Sequence, residues 1–374
     1  MGIADFPVIS ADSHITEHPD TYIKYIDAKF RDRAPKMIHS EQKGDLFVID
    51  GMSRPIAMGL VAAAGKDPET LTEAGVNFDD LHRGGWDPNA RLEDQVRDGV
   101  AAEVIYPTVG MMICNHSDFD YKKACFDAYN RWIAEYCAVA PSRLLGCGQT
   151  AMRSPEEGID DLHAIRALGL RGVMMPGDPA VEDYDSPVYN PFWEAAIELD
   201  MPLSFHILTM KNAHTRGPRI NTFLSIIRGN QDIMGTLIFG GVFERYPQLK
   251  VVCVEADAGW VPHYLYRMDH AYKRHRNWLA PGIALSKLPS EYFSENIYTT
   301  FQDDWVAFKM ANDMNWRRLL WANDFPHSDS TWPWSQEVLA EQTRHLTAEQ
   351  KRAILCDNVA ELYNIDLSQL EVAA

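Results

Sequence analysis

Along the 374-residue chain, short apolar or β-branched runs alternate with longer stretches of helical periodicity. The runs fall at 8–12, 104–107, 144–150, 170–175, 203–206, 249–255, 297–301 and 319–324, which predicts eight strands. Helix starts lie between them. Ser154-Pro155-Glu156-Glu157 and Thr347-Ala348-Glu349-Gln350 both read as capping boxes, in which the hydroxyl satisfies an orphan amide and the Glu or Gln reaches back. Within 118–139, Ala124, Ala128, Trp132, Ile133, Tyr136 and Cys137 recur at three- and four-residue spacing, on one face of a helix.

A strand followed by a helix, repeated in this way, implies parallel strands, because each parallel crossover needs a dozen or more residues. The expected class is α/β, as a distorted (β/α)8 TIM-like barrel. A doubly wound open sheet is the alternative, but no G-x-G-x-x-G follows the first strand. Residues 13–101 are too long for one crossover and contain Gly51 to Pro55 and Gly84-Gly85-Trp86-Asp87-Pro88. They predict a long insertion after the first strand, forming a lid over the barrel mouth at about 35–95. No repeat or low-complexity linker interrupts the chain, so residues 1–374 are expected to form a single domain.

Charge narrows the partners. With 53 acids against 35 bases the chain carries −18, which opposes nucleic acid or an anionic membrane. No apolar run approaches the roughly 18–20 residues of a membrane span, and Met1 to Pro7 show neither the basic nor the apolar region of a signal peptide. A cytoplasmic location is therefore expected. The six cysteines include no C-x-x-C pair and sit mostly in apolar runs such as Val251-Val252-Cys253-Val254, as packed, reduced thiols do.

In such a barrel, chemistry sits at the carboxyl ends of the strands. The first strand ends in Asp12-Ser13-His14, the fifth in Ser204-Phe205-His206, the sixth in Val254-Glu255-Ala256-Asp257 and the eighth in Trp321-Ala322-Asn323-Asp324. Strand alternation puts Asp12 and His14 on one side. Asp12, His14, His206 and Asp324 make an N/O donor set for one divalent metal ion; Zn2+ is expected, with Mn2+ and Fe2+ as alternatives and Ca2+ disfavoured. Each residue alone has a plainer reading. D-x-H arises by chance, a lone histidine packs in a core, Asp324 caps a turn, and Glu255 and Asp257 cap the next helix. Those readings do not explain why all of them fall at strand ends. Asp324, Glu255 and His206 are the catalytic candidates, with Asp324 accepting a proton from metal-activated water. Trp86, Phe301, Trp305 and His327 would suit a flat or hydrophobic small-molecule substrate, although packing explains any single aromatic residue. Lys211, Arg216 and Arg219 form a basic cluster suited to a substrate carboxylate or phosphate, or to solvated loop charge.

The segments Ile9-Ser10-Ala11-Asp12-Ser13-His14-Ile15-Thr16-Glu17, Phe205-His206, Pro247-Gln248-Leu249-Lys250, Trp260-Val261-Pro262, Trp321-Ala322-Asn323-Asp324-Phe325-Pro326-His327 and 358–363 also carry a resemblance. Together the chain resembles the amidohydrolase-related family, the branch of the amidohydrolase superfamily that includes aminocarboxymuconate semialdehyde decarboxylase and γ-resorcylate decarboxylase. The resemblance implies one divalent metal held from strands one, five and eight. Asp12 takes the place of the first member of the usual H-x-H, or of the acidic residue that some decarboxylases have there; His14, His206 and Asp324 take the remaining places. It also implies a homodimer. Two departures stand out. Those decarboxylases end the sixth strand in a proton-donating histidine, where Glu255 stands here. The fourth strand ends in Met174-Met175, where dinuclear hydrolases carry a bridging lysine. The carboxylate at 255 makes the expected activity a metal-dependent hydrolase acting on an amide, ester, lactone or thioester. The alternative is a non-oxidative decarboxylase of an aromatic or unsaturated acid, and a third reading is a catalytically silent binding protein.

Overall fold

The computed structural model describes residues 4–210 and 216–372. β1 (Ile9–Ile15) is followed by three short strands of the insertion, β2 (Lys36–Ser40), β3 (Gly44–Val48) and β4 (Ile56–Ala57). The remaining barrel strands are β5 (Ala102–Pro107), β6 (Leu144–Gln149), β7 (Gly172–Met175), β8 (Leu203–His206), β9 (Val251–Val254), β10 (Ile297–Phe301) and β11 (Leu319–Trp321). β1 and β5–β11 form one eight-stranded sheet in sequence order, with parallel neighbours. These strands read as near-continuous apolar runs because each is covered on one side by the barrel interior and on the other by helices. The β9 run Val-Val-Cys-Val is buried throughout.

The ring closes where the chemistry lies. Asp324 N donates to Asp12 O (3.1 Å) and His14 N to Phe325 O (2.7 Å), so the segment after β11 joins β1 through the candidate ligands' own backbone. Just before that seam, β1 slips against β5: Ser10 faces Glu103 while Ser13 faces Ile105. A bulge of this kind re-aims the side chains around it.

The helix Pro155–Ala167 is capped by Ser154 Oγ, which accepts from Glu157 N. Thr347 and Gln350 complete the reciprocal box at Ala348–Arg352. The expected periodic helix spans Phe119–Cys137. The six cysteines are free and buried, and burial pushes thiols such as Cys114 up to about 12. Among the described residues, no helix is long and apolar enough to cross a membrane.

The insertion builds its own antiparallel sheet in the order β2-β3-β4 and ends in the helix Pro88–Asp98. It is stitched to the carboxyl-end loops of the barrel. Ala63 N and Ala64 N donate to Pro326 O, Ser328 N to Leu60 O and Thr16 N to Gly85 O, while Thr16 Oγ1 donates to Val61 O.

One carboxylate in the helix layer gives the fold a pH signature. Asp161 accepts from Thr150 Oγ1 (2.7 Å) and lies 3.0 Å from Lys123 Nζ, yet burial pushes its carboxyl from 3.8 up to about 6. Between those values the folded chain holds a proton that the unfolded chain has released, so stability falls as pH rises through that window. Unfolding free energies from urea titrations between pH 4 and 6.5 should therefore fall more steeply in wild type than in Asp161→Asn, by up to about 3 kcal/mol over the window. Parallel slopes would refute this account.

Candidate metal centre

Each candidate ligand reaches the barrel axis because its strand ends there. His14 lies near the end of β1 and His206 at the end of β8, and both are fully buried. Glu255 follows β9 and Asp324 follows β11, with φ of 56° and 53°. Left-handed backbone at non-glycine residues costs on the order of 1–3 kcal/mol and persists where surrounding contacts enforce it. Here it turns both carboxylates back toward the axis.

The imidazole Nε2 atoms of His14 and His206 face each other at 3.2 Å. Glu255 Oε2 lies 3.0 Å from His14 Nε2 and 3.1 Å from His206 Nε2. Asp12 Oδ1 is 3.6 Å and 3.8 Å from the same nitrogens, and Asp324 Oδ1 is 3.6 Å from His14 Nε2. The far nitrogens are engaged elsewhere: His14 Nδ1 lies 3.1 Å from Pro107 O and His206 Nδ1 3.0 Å from Ile207 O. A neutral imidazole donating through Nδ1 presents a bare lone pair at Nε2. The two lone pairs therefore converge with the carboxylates of Asp12 and Glu255, and Asp324 approaches from the His14 side.

Asp12 Oδ1 and both oxygens of Asp324 are buried without a hydrogen-bond partner among the described residues. Orphaned buried carboxylate oxygens are costly, and a cation between them removes the cost. The electrostatics agree. Burial works against charge on His206, but Glu255 and Asp12 outweigh it and hold its imidazolium up to about 10. Glu255, although buried, is held well below the usual carboxylate range by His206 and His14. Burial, then Glu255, pushes Asp324 well up. These residues fit a divalent ion. Asp12, His14, His206 and Glu255 form one set of converging donors; His14, Glu255, Asp324 and His327 form a second that shares two of them.

His327 stacks on His14 with centroids 3.9 Å apart, places Nδ1 3.3 Å from Asp324 Oδ1, and meets Thr108 Oγ1 through Nε2 at 2.9 Å. Within the cluster Glu255 and His327 keep the largest solvent-facing fraction, 14% each, against 1% for Asp324 and 0% for His14. The open side of the centre is theirs.

The other expected substrate contacts lie elsewhere. Phe301 is buried against Phe308, ring centroids 5.0 Å apart, in the layer between strand and helix. Trp86 packs on Phe78 and His18, beside a groove of about 420 Å3 that Trp132 and Tyr136 also line. Trp305 is 57% exposed, with Lys309 over its ring. Arg216 is exposed, Arg219 pairs with Glu73 of the insertion, and Lys211 lies outside the described residues. Sequence reasoning missed Thr300, which binds Asp12, and the buried Arg91, whose guanidinium reaches the carbonyls of His14 and Phe325.

An eight-stranded parallel barrel whose strand ends gather imidazoles and carboxylates defines a (β/α)8 enzyme with a candidate metal centre. Residues 49–365 match the amidohydrolase family Amidohydro_2, and the chain belongs to it. It is similar to 2-amino-3-carboxymuconate-6-semialdehyde decarboxylase of Dictyostelium discoideum, 26% identical over 309 residues, covering 77% of this chain and 80% of that protein. Among solved structures, an amidohydrolase from Mycobacterium avium subsp. paratuberculosis superposes with a TM-score of 0.78 at 20% identity, covering 96% of this chain and 100% of that one. A 5-carboxyvanillate decarboxylase from Novosphingobium aromaticivorans, complexed with manganese and 4-hydroxy-3-methoxy-5-nitrobenzoic acid, superposes with 0.69 at 20% identity, covering 96% of each chain.

These relatives overturn the expected hydrolysis. That expectation took the carboxylate at 255 as the loss of a decarboxylase's proton donor. Glu255 instead sits between the two histidine Nε2 atoms as one of the converging donors, so its being a carboxylate says nothing about which group delivers a proton.

Proposed function

We propose that this protein is a divalent-metal-dependent, non-oxidative decarboxylase of an aromatic or unsaturated carboxylic acid. The observation that supports this most directly is the pair of overlapping donor sets, Asp12, His14, His206 and Glu255 with Asp324 and His327 alongside, in a family that includes a decarboxylase relative. Three carboxylates beside two imidazoles favour a harder ion than a tetrahedral zinc site does, so Mn2+ is the proposed ion ahead of Zn2+. When bound, the ion orients the substrate's oxygen atoms and withdraws electron density from the carbon that loses CO2.

The protein's own groups do the rest. The Nδ1 contacts to Pro107 O and Ile207 O lock the His14 and His206 rings in place. His327, on the open side with Nδ1 3.3 Å from Asp324 Oδ1, carries the ring proton and lies where a flat substrate stacked against the histidines would present its reacting carbon. The C–CO2 bond breaks, CO2 leaves, and the electron pair left on carbon takes that proton. The insertion, seated on the loops after β1 and β11, acts as the cover that keeps bulk water from this carbanionic centre.

The test is to offer metal-loaded protein a panel of ortho-hydroxybenzoic and unsaturated acids in D2O, alongside aryl esters, amides and thioesters. Expected are CO2 release and one deuterium at the vacated carbon, with turnover falling on the order of 10²–10³-fold in His327→Asn while the ion is retained. Acyl hydrolysis without CO2 would overturn the proposal.

A further inference from the structure

Asp12 and Glu255 come from opposite sides of the barrel seam, and one hydroxyl touches both. Thr300, on β10, is fully buried. Its Oγ1 donates to Asp12 Oδ2 at 3.1 Å and accepts from the backbone N–H of Glu255 at 2.8 Å. An ionised carboxylate only accepts and an amide N–H only donates, so both bonds run in one direction and the hydroxyl hydrogen has a single place to go.

Each bond has a consequence at the centre. With Oδ2 occupied by Thr300, Asp12 is left with Oδ1 free, and Oδ1 is the atom that lies 3.6 Å and 3.8 Å from the two Nε2 nitrogens without a partner of its own. The second bond holds the amide of Glu255 where φ is 56°, the left-handed turn that swings its carboxylate between His14 and His206. We infer that Thr300 is a positioning residue for the ion: it restricts Asp12 to one free oxygen and holds Glu255 in its strained turn, so that metal affinity depends on a hydroxyl that itself never touches the ion. The inference rests on the ion site proposed above and extends it to a residue outside the donor set.

Valine has nearly the shape of threonine but neither donates nor accepts. Thr300→Val should weaken Mn2+ binding by about 10–100-fold in chelator competition, the range in which outer contacts to ligating groups act. Thr300→Ser restores the hydroxyl and should stay within about 3-fold of wild type. A general loss of packing would move both variants and the metal-free melting temperature together; the positioning role predicts a change in valine alone, with metal-free melts that coincide. If Thr300→Val does not fold, Thr300→Ala in the same competition serves, again with serine as the rescue. Tight Mn2+ binding by wild type and an unchanged Kd in the hydroxyl-free variants would overturn the role of Thr300. A wild-type chain that takes up no divalent ion would instead count against the ion site and this role together.

Discussion

His206→Ala is expected to leave the protein folded, nearly metal-free and slower by at least about 10³-fold. The imidazole supplies one of the converging donors and also faces Glu255 Oε2 at 3.1 Å. Its removal therefore subtracts a ligand and leaves a buried carboxylate with one fewer partner, which weakens the site twice over. Several kcal/mol of transition-state stabilisation depend on a correctly held ion, and each ~1.4 kcal/mol is a factor of ten in rate. The fold should survive, because the backbone of β8 is held by its ladders to β7 and β9. Metal content by elemental analysis, with circular dichroism as the folding control, decides the matter. Full occupancy in the variant would remove His206 from the ligand set.

The eight barrel strands were legible because parallel strands covered on both faces are apolar throughout, and such runs survive any uncertainty about which residue points where. The same property hid the side-chain parity. In Ile297-Tyr298-Thr299-Thr300-Phe301 both faces read as strand, so nothing in the sequence says which of Thr300 and Phe301 looks inward. The structure turns Thr300 to Asp12 and Phe301 to Phe308. At β1 the D-x-H triplet carried its own parity, since residues two apart share a side, and Asp12 and His14 do meet. Glu255 could be located at a strand end but not aimed, because its left-handed backbone breaks the alternation on which such aiming relies. Arg91 was invisible for a different reason. It sits in a helix of the insertion, Pro88–Asp98, where nothing in the local sequence sets it apart, and only the tertiary fold reveals that its guanidinium is fully buried.

That guanidinium supports the other large effect. Arg91 Nε donates to Glu103 Oε2 at 2.6 Å, Nη1 to His14 O at 2.6 Å and Nη2 to Phe325 O at 3.2 Å. Glu103 also accepts from Gln95 Nε2 and from Ser13 Oγ. One side chain of the insertion thus fastens β1, β5 and the segment after β11 at the seam where the barrel closes. Arg91→Met should cost about 3–5 kcal/mol, because it leaves Glu103 charged and buried without its cation and strips donors from two buried carbonyls. For a chain of this length that is a fall of roughly 4–7 °C in melting temperature. Arg91→Lys should recover little, since a point charge cannot span a carboxylate and two carbonyls at once. Arg91→Met combined with Glu103→Gln should regain part of the loss by removing the uncompensated charge. Because the carbonyls involved belong to His14 and to the residue after Asp324, the single variant should also release its ion at lower chelator concentration than wild type. Melting within about 1 °C of wild type, with unchanged chelator sensitivity, would show that the seam is held by the backbone bonds between Asp324 and Asp12 and between His14 and Phe325 alone, and that the insertion has no part in shaping the centre.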